Sequence, residues 1–206
     1  MKYTDFSLYI RPEVQGAPDF LVERAVRDSA IDFCQRTDIY IAEPEYIAIS
    51  ANVNEYSVSI PTATELNHII DVYNDKTPLK PVSYTDLLRR LGDEDETGTP
   101  RYYSQRDNDV FFVAPVPDAA ESFRVMFTLK PTSTSSSLTD AVAKENREII
   151  THGALYRLQM MNGQVWTSLA MAEANRGLYE KAVGRMVRQA KYGSGGSLTA
   201  VNREFI

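Results

Sequence analysis

The stretch PDFLVERAVRDSAIDFCQRT, residues 18–37, carries the clearest periodicity in the chain. Phe20, Leu21, Ala25, Val26, Ala30, Phe33 and Cys34, with Ser29 the one polar member, recur at three- and four-residue spacing, as on an amphipathic helix. Pro18 suits the first turn and Asp19 adds a favourable early negative charge. Cys34 falls on the apolar stripe with no histidine nearby in sequence to activate it, so it reads as an inert core thiol.

Beyond this helix, from Tyr40 to Leu129, short runs rich in Val, Ile, Tyr and Phe are broken by Pro, Asn and Asp, which are strand and turn signals. Strands are predicted at 46–50, 55–60, 66–74, 101–105, 109–114 and 121–129. Tyr56, Val58 and Ile60 alternate onto one face, as do Phe123, Val125, Phe127 and Leu129. RDND (106–109) suits a turn between two paired strands. Residues 84–91 suggest a short helix ending at Gly92, followed by the acidic run Asp93–Glu96, which lacks the alternation and closing Glu of a calcium loop and reads as a solvated loop.

The polar segment PTSTSSSLTD (131–140) marks the return to helices. One helix is predicted from Leu138–Thr139 through Met161, its mixture of small and large side chains suited to close helix packing, with Asn162-Gly163 as a stop or sharp turn. A last helix follows from near Val165 to Tyr192, with a stripe of Leu169, Ala172, Leu178, Ala182, Met186 and Ala190 and Gly193 just beyond it. GSGGS (193–197) reads as a flexible linker and LTAVNREFI (198–206) as a short tail. The expected fold class is α+β: a helical bundle of the N-terminal helix (residues 1–40) and the two long C-terminal helices (131–192), a β-rich lobe with a short helix (41–130) inserted between them, and a docking tail (193–206).

Composition narrows the function. The 206 residues are 43% hydrophobic and 24% charged, the balance of an ordinary folded protein. Lys and Arg number 22 against 28 Asp and Glu, so the net charge of −6 argues against a protein that wraps nucleic acid over its whole surface. The single cysteine excludes an intramolecular disulfide or a multi-cysteine cluster, and two histidines, His68 and His152, leave little for a histidine-rich metal centre. No run approaches the roughly 20 apolar residues of a membrane helix. The start, MKYTDFSLYIRPEV, has no apolar secretory region, and function inside a cell is expected.

Catalytic motifs are scarce. Neither GxxxxGK[ST] nor a strand-to-helix GxGxxG occurs, and GxSxG is absent. Carboxylates are abundant, as in any acidic protein, and neither histidine can be paired with a nucleophile from spacing. Tyr102-Tyr103, among 12 tyrosines, fits packing and protein interfaces better than base stacking. No cofactor is expected.

Charge distribution says more. Residues 42–121 carry 15 acidic and 6 basic side chains, whereas 171–192 carry Arg176, Lys181, Arg185, Arg188 and Lys191 against Glu173 and Glu180. Opposed charge on separate regions suits head-to-side contact between identical subunits, or docking on acidic partners. The tail residues Leu198, Val201, Phe205 and Ile206 lie beyond a glycine hinge, where they can order on another subunit.

AVRDSAIDFCQRTDIY (25–40), TPRYYSQRDNDVFFVAPVPD (99–118) and HGALYRLQMMNGQVWTSLAMAEANRGLYEKAV (152–183) together resemble the head-to-tail adaptors of short-tailed bacteriophages, the tail tubular protein A-like group. The resemblance rests on Phe33, Cys34, Arg36 and Thr37, then Pro100, Tyr102 and Tyr103, then Gly153, Ala154, Leu155 and Leu158, with Trp166 as the later aromatic. It implies a non-enzymatic virion protein at the head–tail interface, assembled in the host cytoplasm as a ring usually of twelve copies. The partners it implies are the portal and a tail nozzle or tail tube protein, with DNA passing through the lumen unread and no membrane involved. Arg176, Lys181, Arg185, Arg188 and the tail residues Leu198, Val201, Phe205 and Ile206 are the expected partner contacts. Three other readings compete: a different head-completion or tail-joining subunit, a metal-dependent hydrolase using carboxylates with His68 or His152, and a small nucleic-acid-binding protein using Tyr102, Tyr103 and the basic helix.

Overall fold

The structure is a computed structural model and describes residues 1–92, 97–106 and 109–192. Among these the chain is mixed α+β, with six α-helices and two four-stranded sheets. The acidic run 93–96, part of the 106–109 turn, the GSGGS linker and the tail lie outside the described residues.

The periodic stretch forms α2 (Asp19–Thr37), which buries Val22, Ala25, Val26, Ser29, Ala30, Phe33 and Cys34. Phe20, expected on this stripe, is 69% exposed, because at the first turn it precedes the positions that face the other helices. Two helices cover α2. These are α5 (Arg147–Gln159) and α6 (Leu169–Tyr192), and Ile150, Ala154, Leu155, Leu158, Tyr179 and Val183 share one core with α2. Burial pushes the Cys34 thiol up to about 12, so it stays protonated and unreactive, as its place on the stripe implies.

Three local outcomes differ from the sequence expectations. The first ten residues, given no structure above, form a 3-10 turn (Tyr3–Phe6) running into α1 (Ser7–Ile10), which bury Tyr3, Phe6 and Ile10 on the α2 core. The helix expected from 138 to 161 is divided into α4 (Asp140–Glu145) and α5 at Asn146, whose φ −115° and ψ 18° leave the helical range while its buried Nδ2 and its N–H both donate to the Val142 carbonyl. The last helix begins at Leu169 rather than near Val165: Thr167 N–H donates to the Gln164 carbonyl and Ser168 N–H to that of Gln159, closing a turn first. Gly163 takes φ 75° in that connection, a left-handed conformation that suits glycine, at the stop or sharp turn expected of the Asn-Gly pair.

Six of the eight strands described fall near the expected stretches, the one at 55–57 shorter than expected, and the two-residue strands at 77–78 and 80–81 were not among them. Sheet one runs β1 (Glu45–Ala48), β8 (Ser122–Pro131), β3 (Thr64–Asn74) and β4 (Thr77–Pro78) in spatial order, all antiparallel. Sheet two runs β2 (Glu55–Ser57), β7 (Val110–Ala114), β6 (Tyr102–Gln105) and β5 (Lys80–Pro81), with β5 parallel to β6. Phe123, Val125, Phe127 and Leu129 of β8 point inward and meet Tyr56, Val58, Phe111 and Val113 in a second core between the sheets. A short α3 (Tyr84–Gly92) lies against β6 and β7, burying Leu87 beside Phe112.

Both chain crossings between helices and sheets are fastened to α2. At its C-cap Asp38 adopts φ 53°, and its carboxylate accepts from Asn67 Nδ2 at 2.8 Å and from Thr128 Oγ1 at 3.0 Å. On the return, Arg27 Nε donates to the Ser135 carbonyl at 2.8 Å and its Nη1 to that of Ser133 at 2.9 Å.

The closest helix approach is at Gly153. A Cβ added there collides with Ser29 Oγ and lies 2.8 Å from Tyr179 Cε2, so only glycine lets α2, α5 and α6 meet. Gly153→Ala is therefore expected to lower unfolding free energy by about 1–3 kcal/mol through overpacking, measured by urea denaturation; a variant as stable as the parent would refute the three-helix contact.

Candidate functional site

Of the expected contact residues, Lys181, Arg185 and Arg188 share one outward side of α6, where with exposed Leu178 and Ala182 they line a shallow hollow of about 190 Å³. At about 100° per residue their mean direction points away from Ala172, Asn175, Tyr179 and Val183, which face the core. None of these three cations has an acidic partner among the described residues. Arg176 is turned to another side of the helix, 3.9 Å from Glu173. Leu169 and Leu178, expected on the buried stripe, are 65% and 51% exposed; the core face runs one residue further on, through Tyr179. Leu198, Val201, Phe205 and Ile206 lie outside the described residues.

What holds α6 in this orientation is a polar clamp. The Tyr179 hydroxyl donates to Asp32 Oδ2 at 2.6 Å, and Arg36 grips both Glu180 oxygens at 2.9 and 2.6 Å. Arg36 and Arg157 also approach Asp32, at 3.5 and 3.6 Å. Burial, and then the bond to Asp32, raise the Tyr179 hydroxyl well above its ordinary range, so it remains a donor. Further along, His152 Nδ1 meets Asn175 Oδ1 at 2.8 Å, and Asn175 Nδ2 donates to Gln159 Oε1 at 2.9 Å, a partly buried line that fixes the α5–α6 register.

The α5–α6 turn presents a second surface that the sequence did not mark. Val165 is 96% exposed, and Met160 and Leu169 are exposed as well. Val165 was placed in a helix by the sequence reading, which concealed its position at a tip.

The chemical alternatives find less support. His68 Nε2 lies 2.8 Å from Asp38 Oδ2, but the Thr128 hydroxyl is bonded to the same carboxylate rather than to the imidazole, so no nucleophile is activated. His152 is engaged by Asn175. Among the described residues no group of three His, Cys, Asp or Glu is placed to hold a metal ion. Tyr103 is buried with its hydroxyl on the Ile70 carbonyl, and Tyr102 is covered by the Arg90 guanidinium 4.1 Å from its ring, so the pair offers no open stacking platform. No described helix is long and apolar enough to cross a membrane.

An exposed basic helix face and an apolar tip are surfaces of the kind that contact other proteins. The chain belongs to the SU10 adaptor protein family, whose model matches residues 1–201. It is thus a phage adaptor, a structural protein of the virion that interacts with other head and tail proteins, which agrees with the coarser part of the resemblance read from sequence. No curated protein matches the chain.

The clamp sets an acid dependence. Arg36 holds the Glu180 carboxyl below its ordinary value of 4.5, so its contribution is full above that pH and lost as pH falls through the lower folded value. Being half exposed, the pair contributes about 0.5–1 kcal/mol. Glu180→Gln is expected to lower the melting temperature at pH 7, with the difference from the parent closing below about pH 4; an undiminished difference at pH 3 would show that the clamp is not ionic.

Proposed function

We propose that this adaptor assembles as a ring of about twelve copies between the portal of the filled head and the tail nozzle or tail tube, leaving a passage for DNA. It acts there as the tail tubular protein A-like adaptors of short-tailed phages do. In this reading residues 1–40 and 131–192 form a helical bundle, 41–130 a β-rich lobe inserted in it, and 193–206 a tail whose Leu198, Val201, Phe205 and Ile206 dock on the portal. The role needs no catalysis and no cofactor.

The observation that carries the proposal, beside the family match, is the surface left uncovered on α6 and at its preceding turn. Leu178 stays exposed next to Lys181, Arg185 and Arg188, and Val165 and Leu169 stay exposed at the turn that precedes them in the chain, while Tyr179 and Val183 on the other side of the helix close over the core. Apolar side chains with cations around them are the composition of a protein interface. Many such contacts, each weak, close a symmetric assembly by multiplicity.

Mass photometry of the purified chain, alone and mixed with the portal, tests this. A ring formed alone, or a monomer that becomes a defined ring on the portal, is the expected result; a persistent monomer without portal binding overturns it. Removing 193–206 is expected to leave helicity and thermal melting unchanged while weakening portal binding, and a collapse of the fold would refute a separable docking tail.

A further inference from the structure

Where the chain leaves α2 for the sheets, a groove of about 640 Å³ opens between Tyr40, Ile41, Glu43, Glu45, Phe127 and Thr139. Its rim is apolar and acidic. Ile41 is 58% exposed, Glu43 is exposed with no cation beside it among the described residues, and no Lys or Arg lines the groove. Glu45 accepts from Ser59 N–H and Oγ, both at 2.8 Å. The groove and the basic side of α6 are therefore opposite in charge, and each pairs apolar surface with its ions, Ile41 on one and Leu178 on the other.

The contacts of α2 that lead toward the two surfaces leave the helix on different sides. Arg27 faces the 133–135 segment, which leads through Thr139 to the groove, whereas Ser29, Asp32 and Arg36 face α6. At about 100° per residue Arg27 and Arg36 project in opposite directions around the helix. Surfaces so disposed cannot both be satisfied against one neighbour in a compact two-fold pair; they lead from copy to copy.

The groove is also unsuited to adding a strand. Residues 41–42 and 45–48 both pair with β8, but the register shifts between Ile41↔Thr128 and Glu45↔Val125, and Pro44 sits in the shift without an N–H. An edge broken in this way resists strand pairing and takes side chains instead.

We propose that neighbouring copies in the assembly join through unlike faces, with Lys181, Arg185 and Arg188 of one copy seated against Glu43 and Glu45 of the next and Leu178 covering Ile41. This rests on the ring reading above and names the surface that builds the ring. Heterologous contacts of one kind, repeated with a closing rotation, give a ring with no second interface.

Two full-length variants test it, Lys181→Glu/Arg185→Glu and Glu43→Lys, none of the three side chains having an ion-pair or hydrogen-bond partner among the described residues, so thermal melts should match the parent. Assembly is followed by sedimentation velocity at increasing salt, for the chain alone and on purified portal. Each variant alone is expected to assemble at least about tenfold more weakly than the parent, and an equimolar mixture is expected to recover species larger than two copies, because each reversed face then meets a reversed groove. Assembly that ignores salt and both reversals, or a mixture that stops at two copies, overturns the unlike-face contact and leaves the adaptor reading standing. A parent chain that assembles by neither route removes the ring reading and this interface with it.

Discussion

At Gly153 three helices come together with no room for a methyl group, and the architecture of the helical part depends on that closeness. The missing side chain lets Ser29 Oγ donate to the Ile150 carbonyl at 2.9 Å and leaves room for the Tyr179 ring against the crossing. Because the ring sits there, its hydroxyl reaches Asp32, and because Asp32 is held, Arg36 and Arg157 gather around it. The clamp is thus a consequence of a packing constraint. It also fixes the rotation of α6, and with it the direction in which Lys181, Arg185 and Arg188 point.

This ordering from packing to presentation suits an adaptor. A protein that works by contact has to hold its surfaces at fixed angles, since a preorganised surface loses less freedom when it binds. Long-range hydrogen bonds supply that rigidity here, including the buried Asn175–Gln159 pair and the salt-linked Glu180. Nothing in this arrangement requires a reactive group, and the one thiol is buried and protonated.

Much of the architecture was legible because it rests on periodicity. The three- and four-residue spacing through Phe33 and Cys34 gave α2, and strict alternation through Phe123, Val125, Phe127 and Leu129 gave the strand that both sheets pack around. What was not legible rests on single side chains choosing partners. Leu178 and Tyr179 are adjacent and both apolar, and periodicity alone assigned the wrong one to the core; the hydroxyl bond to Asp32, 147 residues away, decides the matter. The helix divides at Asn146, whose backbone leaves the helical range as its side chain bonds back to Val142, a local choice that spacing does not reveal. Tyr3, Phe6 and Ile10 do carry helical spacing, but over too few residues to stand out from an irregular start. The basic face was visible as composition, yet only the fold separates Arg176 from its three neighbours, and the groove beside Glu43 exists only once residues 40–45 and 139 are brought together.

The two crossings between helices and sheets bear on mechanics. A domain hung from a single strand swivels, and torque applied to it is dissipated at the hinge. Here the outgoing chain is pinned by Asp38, the C-cap of α2, and the returning chain by Arg27 within that helix. The sheets are consequently held like a frame bolted at two points: a twist imposed on them is transmitted to α2, and through the Gly153 crossing to α5 and α6, instead of being absorbed in a linker.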